Sequence, residues 1–321
     1  MVIKLDMANA FDRVNHKFLV VVLQKFGISS KFLDIVMACT TTPWIAPLIN
    51  GRPSSFFRST RGLRQGCPLS PFLYIIMVEL LSIQLENQRE KRKIIGIRIT
   101  RGVKEINHYV FADDTLLIGG ASNIIARWFK KVLDDFLYAL GGLLNNKKCV
   151  IYNWNTPINI IHRNSQIMEI LVQLKWSHFI NHGLPLAKEV VKEKVWNKQV
   201  EKMRGKIQSW GMAWLNLAGR SILIKALLSA LLIYQYVIIM ASANAHKQME
   251  LITRSFLWQG RKQETKIFSL VRWGQVTLPY EKGGISIRIP GLMNNALGIK
   301  FVWRMINGKE QWWGEALQGN F

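Results

Sequence analysis

Asp113 and Asp114 stand side by side inside an otherwise apolar run, with Tyr109-Val-Phe-Ala before them and Thr115-Leu-Leu-Ile after. Adjacent carboxylates between strands that bury their neighbours repel each other and are costly unless a cation neutralises them. Asp6 closes a second apolar run containing Val2, Ile3 and Leu5. If that strand pairs beside the Asp113-Asp114 hairpin, three carboxylates meet at one sheet edge. Such a cluster can hold two ions of Mg²⁺ (or Mn²⁺) for in-line phosphoryl or nucleotidyl transfer, one activating the attacking hydroxyl and the other stabilising the leaving pyrophosphate. Taken alone, Asp113-Asp114 also reads as a solvated turn pair, so the segments around it decide.

Those segments alternate between strand and helix signals. Asn15 can cap a helix with the stripe Phe18/Leu19, Val22/Leu23 and Phe26, stopped by Gly27. Ser29 or Ser30 starts another, for which Phe32, Ile35/Val36 and Cys39 are the expected buried face. Asn50-Gly51, between Trp44–Ile49 and Ser54–Arg58, is a hairpin signal. A basic loop, RSTRGLRQGC, precedes Ser70-Pro71, which as cap and first helical residue should open a helix to about Gln88. Strands are expected over Ile94–Thr100, Ile106–Ala112 and Thr115–Ile118, then a helix from Ser122 to Leu140 and a strand within Cys149–Trp154. The order gives an α+β fold class with an antiparallel sheet and packed helices. Beyond Trp154 the pattern becomes mainly helical, with a charged stretch at Lys188–Trp210 and apolar ones at Leu217–Met240 and Met249–Trp258. The expected domains are 1–160 and 161–321.

Composition bounds the partners. The chain has 321 residues, 49% of them apolar, and a formal charge of +23. That apolar share excludes wholesale disorder, and the excess of Lys and Arg calls for a polyanion. Residues 1–150 carry +10 and residues 151–321 carry +13, yet all seven aspartates lie at or before Asp135. Carboxylate chemistry by aspartate therefore belongs to the first half. Three widely spaced cysteines make neither a disulfide framework nor a zinc module and fit an intracellular, reducing setting. Charges in the first six residues exclude a signal peptide at Met1. Residues 226–245 are apolar but interrupted by Ser229 and Gln235, so a buried amphipathic helix is expected, with no stable membrane insertion.

Four ordered segments, KLDMANAFDRVNH (4–16), RGLRQGCPLSPFL (61–73), YVFADDTLLI (109–118) and GGLLNNKKC (141–149), resemble palm motifs A to D of the reverse transcriptases of non-LTR (LINE-type) retrotransposons, particularly those of plants. The resemblance continues through GLPL (183–186), residues 209–234 and NNALGIKFVWR (294–304), and so covers nearly the whole chain. It implies a polymerase palm followed by a helical thumb and linker, acting on an RNA template, a DNA primer and dNTPs with two Mg²⁺ or Mn²⁺ ions, in the nucleus. By the same resemblance Asp6, Asp113 and Asp114 are the catalytic metal ligands. Phe11 is the aromatic gate beneath the incoming sugar, where a flat ring excludes a 2′-hydroxyl. Gln65 and Gly66 approach the template–nucleotide pair, and Lys148, with Lys147 one place away, faces the triphosphate. Arg61 and Arg64 would meet phosphates. On the charged helix, Lys188, Lys192, Lys198, Lys202, Arg204 and Lys206 would grip the duplex backbone or, read alone, form a solvated face. Asp12 is expected to brace Arg13 or a backbone amide.

The chain departs from the family pattern at Cys67, where Asp is usual in the QGDPLSP block, and it opens at motif A, without the fingers that precede it. Two readings follow: an RNA-directed DNA polymerase segment, or a catalytically inactive nucleic-acid-binding remnant of such an element.

Overall fold

In the computed structural model, the strand that opens the sequence becomes the middle of a five-stranded sheet. The structure describes residues 1–98, 104–111, 114–176, 179–181, 184–185, 192–209, 215–260 and 269–307. Strand β1 (Val2–Asp6) is followed by helices α1 (His16–Lys25) and α2 (Ser30–Thr41). Four two-residue strands come next: β2 (Trp44–Ile45), β3 (Leu48–Ile49), β4 (Arg52–Pro53) and β5 (Phe57–Arg58). Then come α3 (Ser70–Glu90), β6 (His108–Phe111), β7 (Asp114–Ile118), α4 (Asn123–Leu140), β8 (Val150–Tyr152), α5 (Ile158–Met168) and β9 (Leu171–Gln173). The main sheet runs β6-β7-β1-β8-β9, antiparallel throughout except for the β8–β9 pair.

Alternation along β1 separates two faces, because successive side chains in a strand point to opposite sides. Ile3 and Leu5 are fully buried, and Ile3 pairs with Leu117 on one side and Ile151 on the other. This row packs with Leu19 and Leu23 of α1, Met77 and Leu81 of α3, and Phe129 and Phe136 of α4 in one core. The opposite face carries Lys4, Asp6 and Asp114, half-buried, with Tyr109 and Phe111 exposed. The helices thus cover one side of the sheet, and the carboxylates lie on the other.

Local signals account for most element ends. Asn15 accepts hydrogen bonds from the amides of Lys17 and Phe18 and so caps α1. Ser122 caps α4, and Gly141, at φ +76°, ends it in the left-handed conformation. Asn50 and Gly51 both have positive φ, the requirement of the tight turn that joins β3 to β4. Three expectations are corrected. The cap of α3 is Leu69, and the Ser70 hydroxyl instead donates to the Arg64 carbonyl at 2.7 Å. Helix α2 buries Leu33 and Val36, leaving Phe32, Ile35 and Cys39 exposed. Of the strand expected at Ile94–Thr100, a single bridge from Ile97 to Ile106 is present, and residues 99–100 lie outside the described residues.

The chain divides into compact units between Lys175 and Trp176, as α5 packs on α4 and β9 joins the main sheet. In the second unit a short antiparallel pair, β10 (Ile180–Asn181) and β11 (Leu184–Pro185), precedes α6 (Lys192–Ser209). A continuous helical run follows, made of α7 (Leu217–Leu223), a π-helical turn (Ile224–Leu228) and α8 (Ala230–Ile238). Helices α9 (Ala243–Gln259), α10 (Trp273–Val276) and α11 (Pro290–Ile306) complete it. Among the described residues Leu217–Ile238 is one helical run long and apolar enough to cross a membrane. Its stripe Ile224, Leu228, Leu232 and Tyr236, at a spacing of four, is buried in this unit's core. Ile222, Leu227, Val237 and Ile238 are exposed, so the expected burial holds for one stripe only.

A half-buried histidine opens the first motif C strand. His108, on β6, donates from Nδ1 to Asn107 Oδ1 at 2.6 Å, while the Asn107 amide donates to the Leu85 carbonyl. Burial holds the imidazole below its ordinary pKa of 6.5, with the Glu86 carboxylate opposing and Lys104 and Arg89 reinforcing. The unfolded chain therefore binds this proton more readily, and stability present above about pH 6.5 is lost as pH falls below it. The expected result is a melting temperature that drops between about pH 7.5 and pH 5.5, and a smaller drop in His108→Gln. An identical pH profile in the variant would remove His108 as the cause.

Candidate active site

Pairing of β1 with β7 places Asp6 directly opposite Asp114. Cross-strand like charges repel, so this register costs energy unless a cation shares the pair. The main chain of Asp6 is fixed on its other side by the motif D loop. Its amide donates to Cys149 Sγ at 3.3 Å, and its carbonyl accepts the Asn145 amide at 2.9 Å. Ala8 donates to the Leu143 carbonyl at 2.8 Å, extending the same splice. Burial pushes the Cys149 thiol above its usual range, keeping it a neutral packing and hydrogen-bonding group. Lys148 reaches back to Asp6 Oδ2 at 3.5 Å, with its own side chain 69% exposed and that of Asp6 only 17% exposed. Asp113 lies outside the described residues.

A cleft of about 540 Å³ opens beside Asp6. Residues 6–11 form one wall, Arg64, Gln65, Gly66, Ser70 and Pro71 another, and Asn145 and Lys148 the third. Phe11 lines it with its ring stacked on Tyr74 of α3, centroids 4.8 Å apart and planes at 26°. Tyr74 is buried, so Phe11 rests on a fixed platform.

The walls from motifs A and B are joined by backbone. Gly62 donates to the Val14 carbonyl at 2.8 Å and Leu63 to the Phe11 carbonyl at 2.7 Å. His16 Nε2 lies 2.8 Å from the Gly62 carbonyl oxygen. Gln65 Nε2 donates to Asp12 Oδ1 at 2.9 Å, so Asp12 holds a side chain from motif B, not Arg13 or a backbone amide as expected from sequence. Hydrogen bonding from the Leu69 backbone holds the Cys67 thiol below its ordinary range, with Ser70 and Arg64 adding to the effect.

The structure therefore gathers Asp6, Phe11, Arg64, Gln65, Gly66 and Lys148 around one cleft, with Asp114 across the strand pair from Asp6. Arg61 is exposed and is not among the residues lining it. Lys198, Lys202 and Lys206 recur every four residues on the exposed side of α6, opposite Trp196, Val200, Met203 and Ile207. Arg204 is partly exposed and paired with Glu201 at 3.2 Å. Lys188 lies outside the described residues. Sequence reasoning missed Cys149 and Tyr74, which hold site residues from behind, and the roles of Asn145 and Ser70, which line the cleft and also tie its walls together. The only signal for Cys149 was a thiol placed directly before an apolar strand.

A family model described as reverse transcriptase (RNA-dependent DNA polymerase) matches residues 1–171. The chain belongs to the reverse transcriptase family. The α+β architecture of the first unit is the palm fold expected of such an enzyme, and the match runs from β1 into β9. A retrovirus-related Pol polyprotein from the type-1 retrotransposable element R2 of Popillia japonica is 32% identical over 46% of this chain and 20% of its own length. A putative ribonuclease H protein of Arabidopsis thaliana is 28% identical over 43% of this chain and 22% of its own length. An uncharacterized mitochondrial protein of the same plant is 46% identical over 21% of this chain and 56% of its own. This reverse transcriptase chain spans less than two thirds of the length of each of these relatives.

Proposed function

We propose that the chain extends a DNA primer with deoxynucleotides opposite an RNA template, in the nucleus. The observation that carries this reading is the register that sets Asp6 against Asp114 at the rim of a cleft also lined by Phe11, Gln65 and Lys148. The donor set fits divalent metal. Two facing carboxylates supply hard oxygen ligands whose mutual repulsion a dication relieves, and Asp113 adjoins them in the chain. Two Mg²⁺ or Mn²⁺ ions held by Asp6, Asp113 and Asp114 would activate the primer 3′-hydroxyl and neutralise the leaving pyrophosphate.

The protein's own side chains supply position. Phe11, braced by Tyr74, presents a flat floor to the sugar, and Gln65, tied to Asp12, sits where the base pair would lie. Lys148 can carry its charge from Asp6 to the triphosphate, because its stem is exposed and free to swing. The lysine row on α6 would run along the duplex backbone with salt-sensitive contacts, giving the second unit a thumb's role.

Primer extension on an RNA template with Mg²⁺ or Mn²⁺ tests the proposal. Salt-dependent binding of RNA–DNA duplex with no dNTP incorporation would overturn it in favour of the inactive remnant, the reading that +23 alone supports equally well. In the same assay Phe11→Ala is expected to raise ribonucleotide use relative to deoxynucleotide use about tenfold, the order of discrimination a shaped pocket gives by contact alone. An unchanged ratio would dismiss Phe11 as the sugar gate.

A further inference from the structure

The segment between motifs A and B has a surface that the cleft does not explain. From Ile35 to Val78 the chain contains no Asp, Glu or Lys, but has four arginines, Arg52, Arg58, Arg61 and Arg64. Within it the ribbon of β2 and β5, continued by β3 and β4, exposes every strand residue. Trp44 is 59% exposed, Phe56 65% and Phe57 49%. Phe57 pairs with Ile45, and Arg58 pairs with Trp44, its guanidinium lying 4.7 Å from the centre of the indole ring.

Large rings exposed on a two-stranded ribbon gain nothing from the fold, since such a ribbon is marginal in water and these side chains fill no core. Arginine against one face of an indole leaves the other face open and holds a positive charge beside it. Aromatic rings interleaved with cations, with no carboxylate among them, make the surface on which unpaired bases stack while their phosphates are neutralised. A protein partner would have to bring acidic groups to match the arginines, whereas a single strand brings both the stacking planes and the charge. The ribbon also leads directly into the cleft wall, because Arg58 is six residues before Arg64.

We infer that this arginine- and aromatic-bearing ribbon is a binding site for an unpaired nucleic-acid strand, the stretch of template that has yet to enter the cleft. The inference rests on the polymerase reading for the word template, but the site itself needs only a single strand.

The test is equilibrium binding, without nucleotides, of the full chain to two labelled probes. One is a blunt RNA–DNA duplex, and the other is the same duplex with an unpaired 5′ RNA extension of about ten nucleotides. The extension is expected to tighten binding about tenfold or more, the effect of stacking one or two bases. The double variant Trp44→Ala, Phe57→Ala should lose that increment and bind the blunt duplex unchanged. Because both side chains are exposed, the variant's melting temperature should match the parent's, confirming that it folds. Equal affinity for the two probes, or an increment that survives the double substitution, overturns the inference and leaves the ribbon to a protein partner. Failure of primer extension with the increment intact would strike the proposed function alone.

Discussion

Asp6→Asn is expected to lower nucleotide addition by about a hundredfold or more while leaving the fold in place. Losing one fixed electrostatic contact at a reacting centre costs about 10²–10³ in rate, and here the lost charge is also a metal ligand in the proposed site. The fold should survive because what holds Asp6 is its main chain: the amide on Cys149 Sγ and the carbonyl on the Asn145 amide. The ion pair to Lys148 joins a largely exposed ammonium and contributes little stability. Removing a charge opposite Asp114 also relieves cross-strand repulsion. Single-turnover extension with the melting temperature measured in parallel checks both halves. A rate within a fewfold of the parent would remove Asp6 from the chemistry, and a large fall in melting temperature would make its role structural.

Gly62→Ala should be strongly damaging to the first unit, because positive φ and a close backbone contact coincide there. Gly62 has φ +89°, and a Cβ there would stand 2.6 Å from the Asp12 carbonyl oxygen and 2.9 Å from its carbon. These are backbone atoms held by the bonds between residues 11–16 and 62–63, so they cannot swing aside. Left-handed strain of about 1–2 kcal/mol and an overpacking cost of about 1–3 kcal/mol together suggest a loss of about 3 kcal/mol. For a unit of this size that corresponds to a fall of about 10 °C in melting temperature. Gly66 provides the control: its φ is similar, +81°, but a Cβ there meets nothing within 4 Å. Gly66→Ala should cost the strain alone. Equal losses in the two variants would show that the contact with Asp12 carries no weight.

Much of this site is legible in the residues alone, and the limits have physical causes. The carboxylates at Asp6 and Asp113-Asp114 stand out because apolar strand residues flank them, and Asn50-Gly51 announces its turn by residue type alone. The facing of Asp6 and Asp114 is only conditional in the sequence, since pairing between strands more than a hundred residues apart leaves no local trace. Helix α2 shows a different ambiguity. Apolar residues at 32, 33, 35 and 36 allow two overlapping faces, and tertiary packing chose Leu33/Val36. Ser70 resembles a cap because its hydroxyl can serve either a helix end or a nearby carbonyl, and the Arg64 carbonyl won. Cys149 and Tyr74 hold catalytic candidates from behind, a role that depends on three-dimensional neighbours.

The one-sided covering of the sheet has a consequence for loading. Helices back the Ile3–Leu117–Ile151 row, while Asp6 and Asp114 lie on the face where Tyr109 and Phe111 remain exposed. Within the first unit, a strand approaching the proposed centre would meet exposed rings rather than a packed helix, and could be laid against that face at any point along its length.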